Sequence, residues 1–180
     1  MKYACIMNSG HFTPEDYSVR YEDEGSQYYF AAVHSMDMTR DLARTLAAEG
    51  YGIIDLCGDF DEAKAEETAA ASGGKIEVNY AKYTKEELEK FEALASIARY
   101  GIIVMGFDFS KTAVRLELTG DEFNTYISIV DSEETAANEA KKMAADGINF
   151  IELCGYFDLE KADRIMKAVD YKVPVGYCGK

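Results

Sequence analysis

The sequence predicts an α/β fold written twice in one chain, on three observations: a whole-chain internal offset, strands alternating with capped helices, and glycines at the helix ends. Sliding the chain by 97 positions lays Gly50–Asp61 on Gly147–Asp158, with seven of the twelve pairs identical. The same shift pairs Tyr3 with Tyr100, Tyr29 with Tyr126, Ser35 with Ser132, Lys64 with Lys161 and Tyr80 with Tyr177. An offset held through strands, loops and helices marks duplication of a structural unit rather than shared composition.

Taken in order, Tyr3–Asn8 is a short apolar run that reads as a strand. Thr13-Pro14-Glu15-Asp16 has the chemistry of a helix start, with Gly25 as its end. A hairpin arm at Tyr17–Glu22 is the rival reading, and the alternation in Val114–Leu118 of the second copy favours it. Tyr28–His34 is the next strand. Ser35 caps a helix with Leu42, Ala43, Leu46 and Ala47 on one face, ended by Gly50. Ile53–Cys57 is a buried strand, a helix follows from about Phe60 to Ala71, and Ile76–Tyr80 closes the unit. Thr84-Lys-Glu-Glu87 is a capping box that opens a connector helix. The series then repeats and ends in Val173–Tyr177, giving a first repeat over 1–83, a connector over 84–98 and a second repeat over 99–180.

If the uncertain segments are helical, the chain has eight parallel strands. The preferred arrangement is then an eight-stranded TIM-like (β/α) barrel of two halves. Asp55, Glu77, Asn79, Ser128 and Glu152 are polar inside strands, which suits a lumen or a sheet face that needs a partner. The alternative is two small βαβαβ domains packed as a pseudo-dimer.

Composition narrows the function classes. A net charge of −14 opposes nucleic acid and anionic membranes as partners, because both need basic surface. The longest uncharged apolar runs, such as Ile102–Met105, are too short to span a bilayer. Met1–Met7 lacks a signal-peptide core, so the cytoplasm is the expected location. The four cysteines, with no C-x-x-C spacing, read as free thiols. No cofactor fingerprint or metal-ligand spacing is present, and neither a cofactor nor a metal is expected.

Asp146-Gly-Ile-Asn-Phe-Ile-Glu-Leu-Cys-Gly-Tyr-Phe157 followed by Lys172-Val-Pro-Val-Gly176 resembles a bacterial family of unknown function. Its members are usually single-copy, about one repeat each, with an Ile-Glu-Leu-Cys-Gly run before a Lys-Val-Pro-Val-Gly strand. The first copy departs from that pattern, with Asp55 for the Glu and Ile76-Glu77-Val78 for Val-Pro-Val. The resemblance implies no activity. It implies that single-copy relatives pair as homodimers and that this chain is the covalent version of such a pair.

Ligands in parallel α/β folds gather at the carboxyl ends of strands. Those ends are Asn8 with His11, His34, Cys57 with Asp59, Tyr80 with Lys82, Asp108, Asp131, Cys154 with Tyr156, and Tyr177 with Cys178. The offset pairs His34 with Asp131 and Asp59 with Tyr156, so scaffold positions match while mouth positions diverge. Specialised halves of one site would show this, and so would unconstrained loops. His34 is a candidate general base oriented by Asp131 or Asp59. Cys57 and Cys154 are candidate nucleophiles ahead of helix starts, although Asp59, Asp61 and Asp158 oppose a thiolate there and a buried structural thiol is the commoner case. Asn8, Asp59, Tyr80, Tyr156 and Tyr177 are candidate binding residues. A two-fold bringing Asp55 towards Glu152 would raise a carboxyl pKa and make an acid/base pair or, as a minor option, a metal-binding carboxylate pair; pointing outward, each would pair with a lysine on a neighbouring helix.

Two functions follow. The preferred one is a small-molecule enzyme, a cofactor-free lyase or isomerase moving a proton at a carbonyl compound. The other is a non-catalytic ligand-binding or assembly module with its mouth plugged by tyrosine and leucine. That module has no pocket of ligand size, and an open polar cavity holding His34 counts against it.

Overall fold

The computed structural model describes residues 1–107 and 109–180, and Asp108 of the strand-end series lies outside them. The chain divides into Met1–Ala81 and Lys82–Lys180. The first unit holds β1 (Lys2–Asn8), β2 (Ser18–Asp23), β3 (Ser26–Val33), α1 (Met36–Ala48), β4 (Ile53–Cys57), α2 (Glu62–Ala71) and β5 (Glu77–Tyr80). The second opens with α3 (Lys85–Glu92). It continues through β6 (Arg99–Met105), β7 (Ala113–Thr119), β8 (Asn124–Val130), α4 (Glu133–Ala145), β9 (Phe150–Leu153), α5 (Leu159–Ala168) and β10 (Val175–Tyr177).

These strands do not build the expected eight-stranded barrel. Among the described residues there are ten, in two five-stranded sheets of order β2-β3-β1-β4-β5 and β10-β9-β6-β8-β7. The physical reason lies in the segment after the first strand. Thr13 and Asp16 form a turn instead of a helix: the Asp16 and Tyr17 amides both donate to Thr13 O (3.1 and 2.9 Å), and Thr13 Oγ1 donates to Asp16 Oδ2 at 2.8 Å. The chain then runs out as β2 and pairs antiparallel with β3. β7 does the same with β8. An antiparallel arm at one end of each sheet replaces the crossover helix that a barrel needs. The remaining strand pairs are parallel.

The duplication holds at the level of register. Lys2 opposes Gln27 and Arg99 opposes Asn124, both displaced by the same 97 residues. Caps match as well. Ser35 and Ser132 accept from the Met38 and Thr135 amides at the starts of α1 and α4, and Asp61 and Asp158 accept from Lys64 and Lys161 at the starts of α2 and α5. Each such acceptor satisfies one of the amides a helix start leaves over.

In the first unit α1 and α2 cover one sheet face. Ala4, Ile6, Ala31, Val33, Ile54 and Leu56 from the strands pack with Ala43 and Leu46 of α1 and with Ala65 of α2. The second unit repacks the same place with a volume exchange. Where Ala4 lies in the first unit, the second has Gly101, whose missing Cβ would stand 3.0 Å from Met143 Sδ, and Met143 takes the place of Leu46. The other face of the first sheet carries Tyr3, Cys5, Tyr28, Phe30, Asp55 and Cys57, all buried. Among the described residues no helix is long and apolar enough to cross a membrane.

One core position has changed character between the copies. Leu42 of α1 corresponds to Glu139 of α4, which is buried. Arg115 donates to both of its oxygens at 2.6 Å, Lys142 donates at 2.8 Å and the Ser128 hydroxyl at 3.2 Å. The Arg115 bonds, with Lys142 helping, pull the Glu139 carboxyl from 4.5 down to about 2 against the opposing effect of burial. Because the folded pKa lies below the unfolded one, this stabilisation is complete above about 4.5 and is lost as pH falls towards about 2. Both cations reach the carboxylate from solvent, which discounts its worth. Glu139→Gln should therefore cost about 2 kcal/mol at neutral pH. In urea unfolding the difference from the unaltered protein should narrow steadily on acidification; a difference independent of pH would exclude the linkage.

Candidate functional site

Three of the strand-end side chains converge in the first unit. Asn8 at the end of β1, His34 after β3 and Asp59 after β4 line one cleft with Ser35, Thr39, Phe60 and Lys64, enclosing about 190 Å³. Its position follows from topology: β1 lies between β3 and β4, so the chain ends of these three neighbours meet at one rim. Gly58 makes the turn after β4 with φ +90°, a conformation that a side chain would strain, and its α-carbon side lies against Asn8. That conformation, rather than access for a ligand, accounts for the glycine.

The cleft is polar and mixed in charge. Lys64 Nζ donates to Asp59 O at 2.8 Å and stands 3.6 Å from the Asp59 carboxylate, which is itself largely exposed. Among the described residues His34 has no hydrogen-bond partner, so neither Asp59 nor another carboxylate holds its ring in one orientation. Ser35 spends its hydroxyl as acceptor for the Met38 amide at 3.3 Å.

The corresponding positions of the second unit are tied to their own neighbours. Asp131 is exposed and accepts from the Thr135 and Ser132 hydroxyls at 2.7 and 3.0 Å, and the Thr135 bond foremost holds it below the usual carboxylate range. Tyr156 donates to Glu133 at 3.2 Å with Lys161 Nζ 5.2 Å from its ring. Burial, then the Glu133 bond, raises its pKa. Met105, the counterpart of Asn8, is buried. Tyr80 packs on the helix-side core of its sheet rather than in the cleft. Tyr177 pairs with Lys82 through two backbone bonds of 2.8 and 3.0 Å, which close the outer edge of β10.

All four cysteines are buried free thiols, none more than 2% exposed. Cys5 Sγ donates to Cys57 Sγ at 3.4 Å, and Cys154 Sγ accepts from the Met105 amide at 3.2 Å. Thiol reactivity depends on exposure as well as on pKa, and burial of this degree shields each sulfur. Among the described residues no group of three or more His, Cys, Asp or Glu side chains is placed to hold a metal ion.

The strand acids Asp55 and Glu152 sit fully buried in β4 and β9. Tyr3 Oη donates to Asp55 Oδ2 and Asn79 Nδ2 to Asp55 Oδ1, each at 2.9 Å. Tyr100 and Tyr83 both donate their hydroxyls to Glu152. Asn79 has no side-chain counterpart in the second copy. There the position is Gly176, where a Cβ would stand 2.6 Å from the Tyr83 ring, so the glycine makes the gap through which Tyr83 takes over as second donor. Sequence reasoning noted the acids but missed Tyr83, whose only signal is the exchange of Asn79 for Gly176.

The model of the family of unknown function DUF6506 matches residues 1–96 and again 98–179. The chain belongs to that family, twice over. No curated protein matches it. Solved structures that match include an ABC transporter solute-binding protein from Conexibacter woesei DSM 14684, at 10% identity and a TM-score of 0.30 over 97% of this chain and 69% of that one. Another is a periplasmic solute-binding protein of an ABC transporter from Actinobacillus succinogenes 130z with bound D-allose, at 13% identity and a TM-score of 0.31 over 97% and 77%. Likeness of that size carries no argument about this chain.

Two outcomes follow from the geometry. The four thiols should resist an aromatic disulfide reagent in the folded protein and react together on unfolding; rapid native labelling of Cys57 or Cys154 would return them to the catalytic candidates. Tyr3→Phe removes a donor from a buried carboxyl and should lower stability by about 1–3 kcal/mol in urea titrations.

Proposed function

We propose that this DUF6506 protein binds a small polar molecule, without chemistry, in the strand-end cleft of its first unit. The observation that carries the reading is the convergence of Asn8, His34 and Asp59 on one open polar cleft beside the start of α1. The open polar cleft holding His34 counts against the plugged module expected from the sequence, so the binding role proposed here is a different one, an open site rather than a closed mouth. At about 190 Å³ it is smaller than a drug-sized pocket, which begins near 300 Å³, so the ligand is a compact metabolite with several hydrogen-bonding groups.

Binding is favoured over proton transfer on three grounds. A general base is normally held by a third group, and His34 has none among the described residues. The carboxylate of the lining, Asp59, pairs with Lys64. Asp131 belongs to the other unit and is committed to its own helix cap, which keeps it ionised and weakly basic.

Titration of the isotope-labelled chain with three- to five-carbon hydroxy acids and polyols, followed by amide NMR, tests the reading. Perturbations should centre on Asn8, His34, Ser35, Asp59 and Lys64, weaken strongly in His34→Ala and persist in Asp131→Ala. No response at millimolar concentrations, or binding indifferent to His34→Ala, would refute it. Turnover of a bound compound that disappears in His34→Ala would restore the enzyme reading instead.

A further inference from the structure

The second unit contains a larger recess that neither the duplication nor the cleft above explains. Helices α3 and α5, with the turn that follows α5, enclose a groove of about 860 Å³, within the range of small-molecule sites. Its apolar wall is Leu159, Met166 and Tyr171, of which Leu159 and Tyr171 remain 49% and 45% exposed. Among the described residues the first unit has no third helix, so this groove is a property of the second alone.

The backbone at Tyr171 carries the inference further. Asp170 and Tyr171 adopt φ +53° and +54°, the left-handed region that side chains disfavour. At the corresponding turn of the first copy the residues are Gly73 and Gly74, with φ +71° and +69°. The second copy therefore holds an aromatic residue where glycine is the relaxed choice. Lys90 of α3 meets this turn twice: its Nζ donates to the Tyr171 carbonyl at 3.0 Å, which glycine would supply equally, and stands 5.6 Å from the centroid of the Tyr171 ring, which glycine would not supply. The ring is fixed as a groove wall, its hydroxyl donating to Asp163 at 3.0 Å. The strained backbone thus holds a ring that already meets one ammonium and still leaves 45% of the residue exposed.

The charge around the groove states what that is. Glu86, Glu87, Glu160 and Asp163 line it with Lys90; Glu87 pairs with Lys90, while Glu160 pairs with Arg164 at 2.8 Å and Asp163 with Lys167 at 2.6 Å, the last two being exposed pairs along α5 that a bound cation displaces at little cost. An apolar, aromatic wall with an acidic rim complements a cation on a hydrocarbon body. We infer that the α3–α5 groove of the second unit is a binding site for a small organic cation, with Tyr171 as its aromatic wall and Glu86, Glu160 and Asp163 as its counter-charges.

The test titrates the full chain with 4-phenylbutylamine and, as a control of opposite charge, 4-phenylbutanoate, each read by amide NMR. The amine should perturb residues 84–90 and 159–171 and bind at least about tenfold more tightly than the acid, a gap of 1.4 kcal/mol. Tyr171→Gly should weaken the amine about tenfold while the melting temperature stays equal or rises, because strain is relieved. Asp170→Gly, which relaxes the same turn without touching the groove, should raise the melting temperature by a few degrees and leave affinity unchanged. Glu86→Gln, on an exposed helix turn, should weaken the amine several-fold without unfolding. Equal binding of amine and acid, no response in the groove, or full affinity in Tyr171→Gly would each overturn the assignment.

Discussion

A carboxyl group in the middle of a buried strand must be given donors, and much of what distinguishes the two units follows from how each supplies them. In the first, Asp55 takes one from Tyr3 on the neighbouring strand β1 and one from Asn79 on β5, so the sheet satisfies it internally. In the second, Glu152 takes one from Tyr100 and the other from Tyr83, which arrives from outside the sheet through the gap at Gly176. Fixing Tyr83 fixes the residues on either side. Lys82 pairs with Tyr177 along β10, and Thr84 caps α3 by accepting from the Glu87 amide at 3.3 Å. Glu87 then turns inward, buried, to accept the Val175 amide at 2.8 Å, which an edge strand would otherwise leave open. The connector is thereby built into the second unit, and the groove beside α5 exists because α3 is held there.

Duplication has preserved what costs most to lose and altered what stands at the strand ends. Caps, register and the tyrosine donor to each buried acid recur at the same offset. The polar exchange of Leu42 for Glu139 is tolerated because Arg115, Lys142 and Ser128 arrive with it, where the first copy has Ser18, Thr45 and Ala31. A buried carboxylate without those partners would be costly, so the change required several positions together. At the strand ends, by contrast, Asn8, His34 and Asp59 stand opposite Met105, Asp131 and Tyr156, and the second set is spent on internal contacts.

The offset, most strands and the helix caps were legible in the amino-acid sequence because each rests on local chemistry with a fixed spacing. The barrel was not, since Thr13-Pro14-Glu15-Asp16 carries a helix-start signal that the structure uses as a turn into an antiparallel arm. Local propensity was overridden there by pairing with β3. Of the residues the strand-end rule nominates, Asn8, His34 and Asp59 line one cleft, whereas the surroundings of Tyr80 and Tyr177 depend on packing that no motif encodes. The groove could have been suspected from one alignment column pair, Gly73-Gly74 against Asp170-Tyr171. Its meaning needs the backbone angles, because only a left-handed conformation makes the loss of glycine informative.

The Leu-Cys-Gly run is the most distinctive local feature of the sequence, and its thiol is buried in both copies. Its cysteine is retained in both copies, yet the sulfur meets Cys5 in one and the Met105 amide in the other. A catalytic thiol would be held in a constant electrostatic setting and left open to its substrate. What is constant instead is burial beside the central strand, and in the first copy a glycine whose φ of +90° turns the chain towards the next helix. The run therefore ends a core strand and aims the following residue at the rim. Asp59 at that residue faces the cleft in the first unit, whereas Tyr156 is bound to Glu133 in the second, so the difference in chemistry between the two mouths rests on the residue after the glycine rather than on the thiol before it.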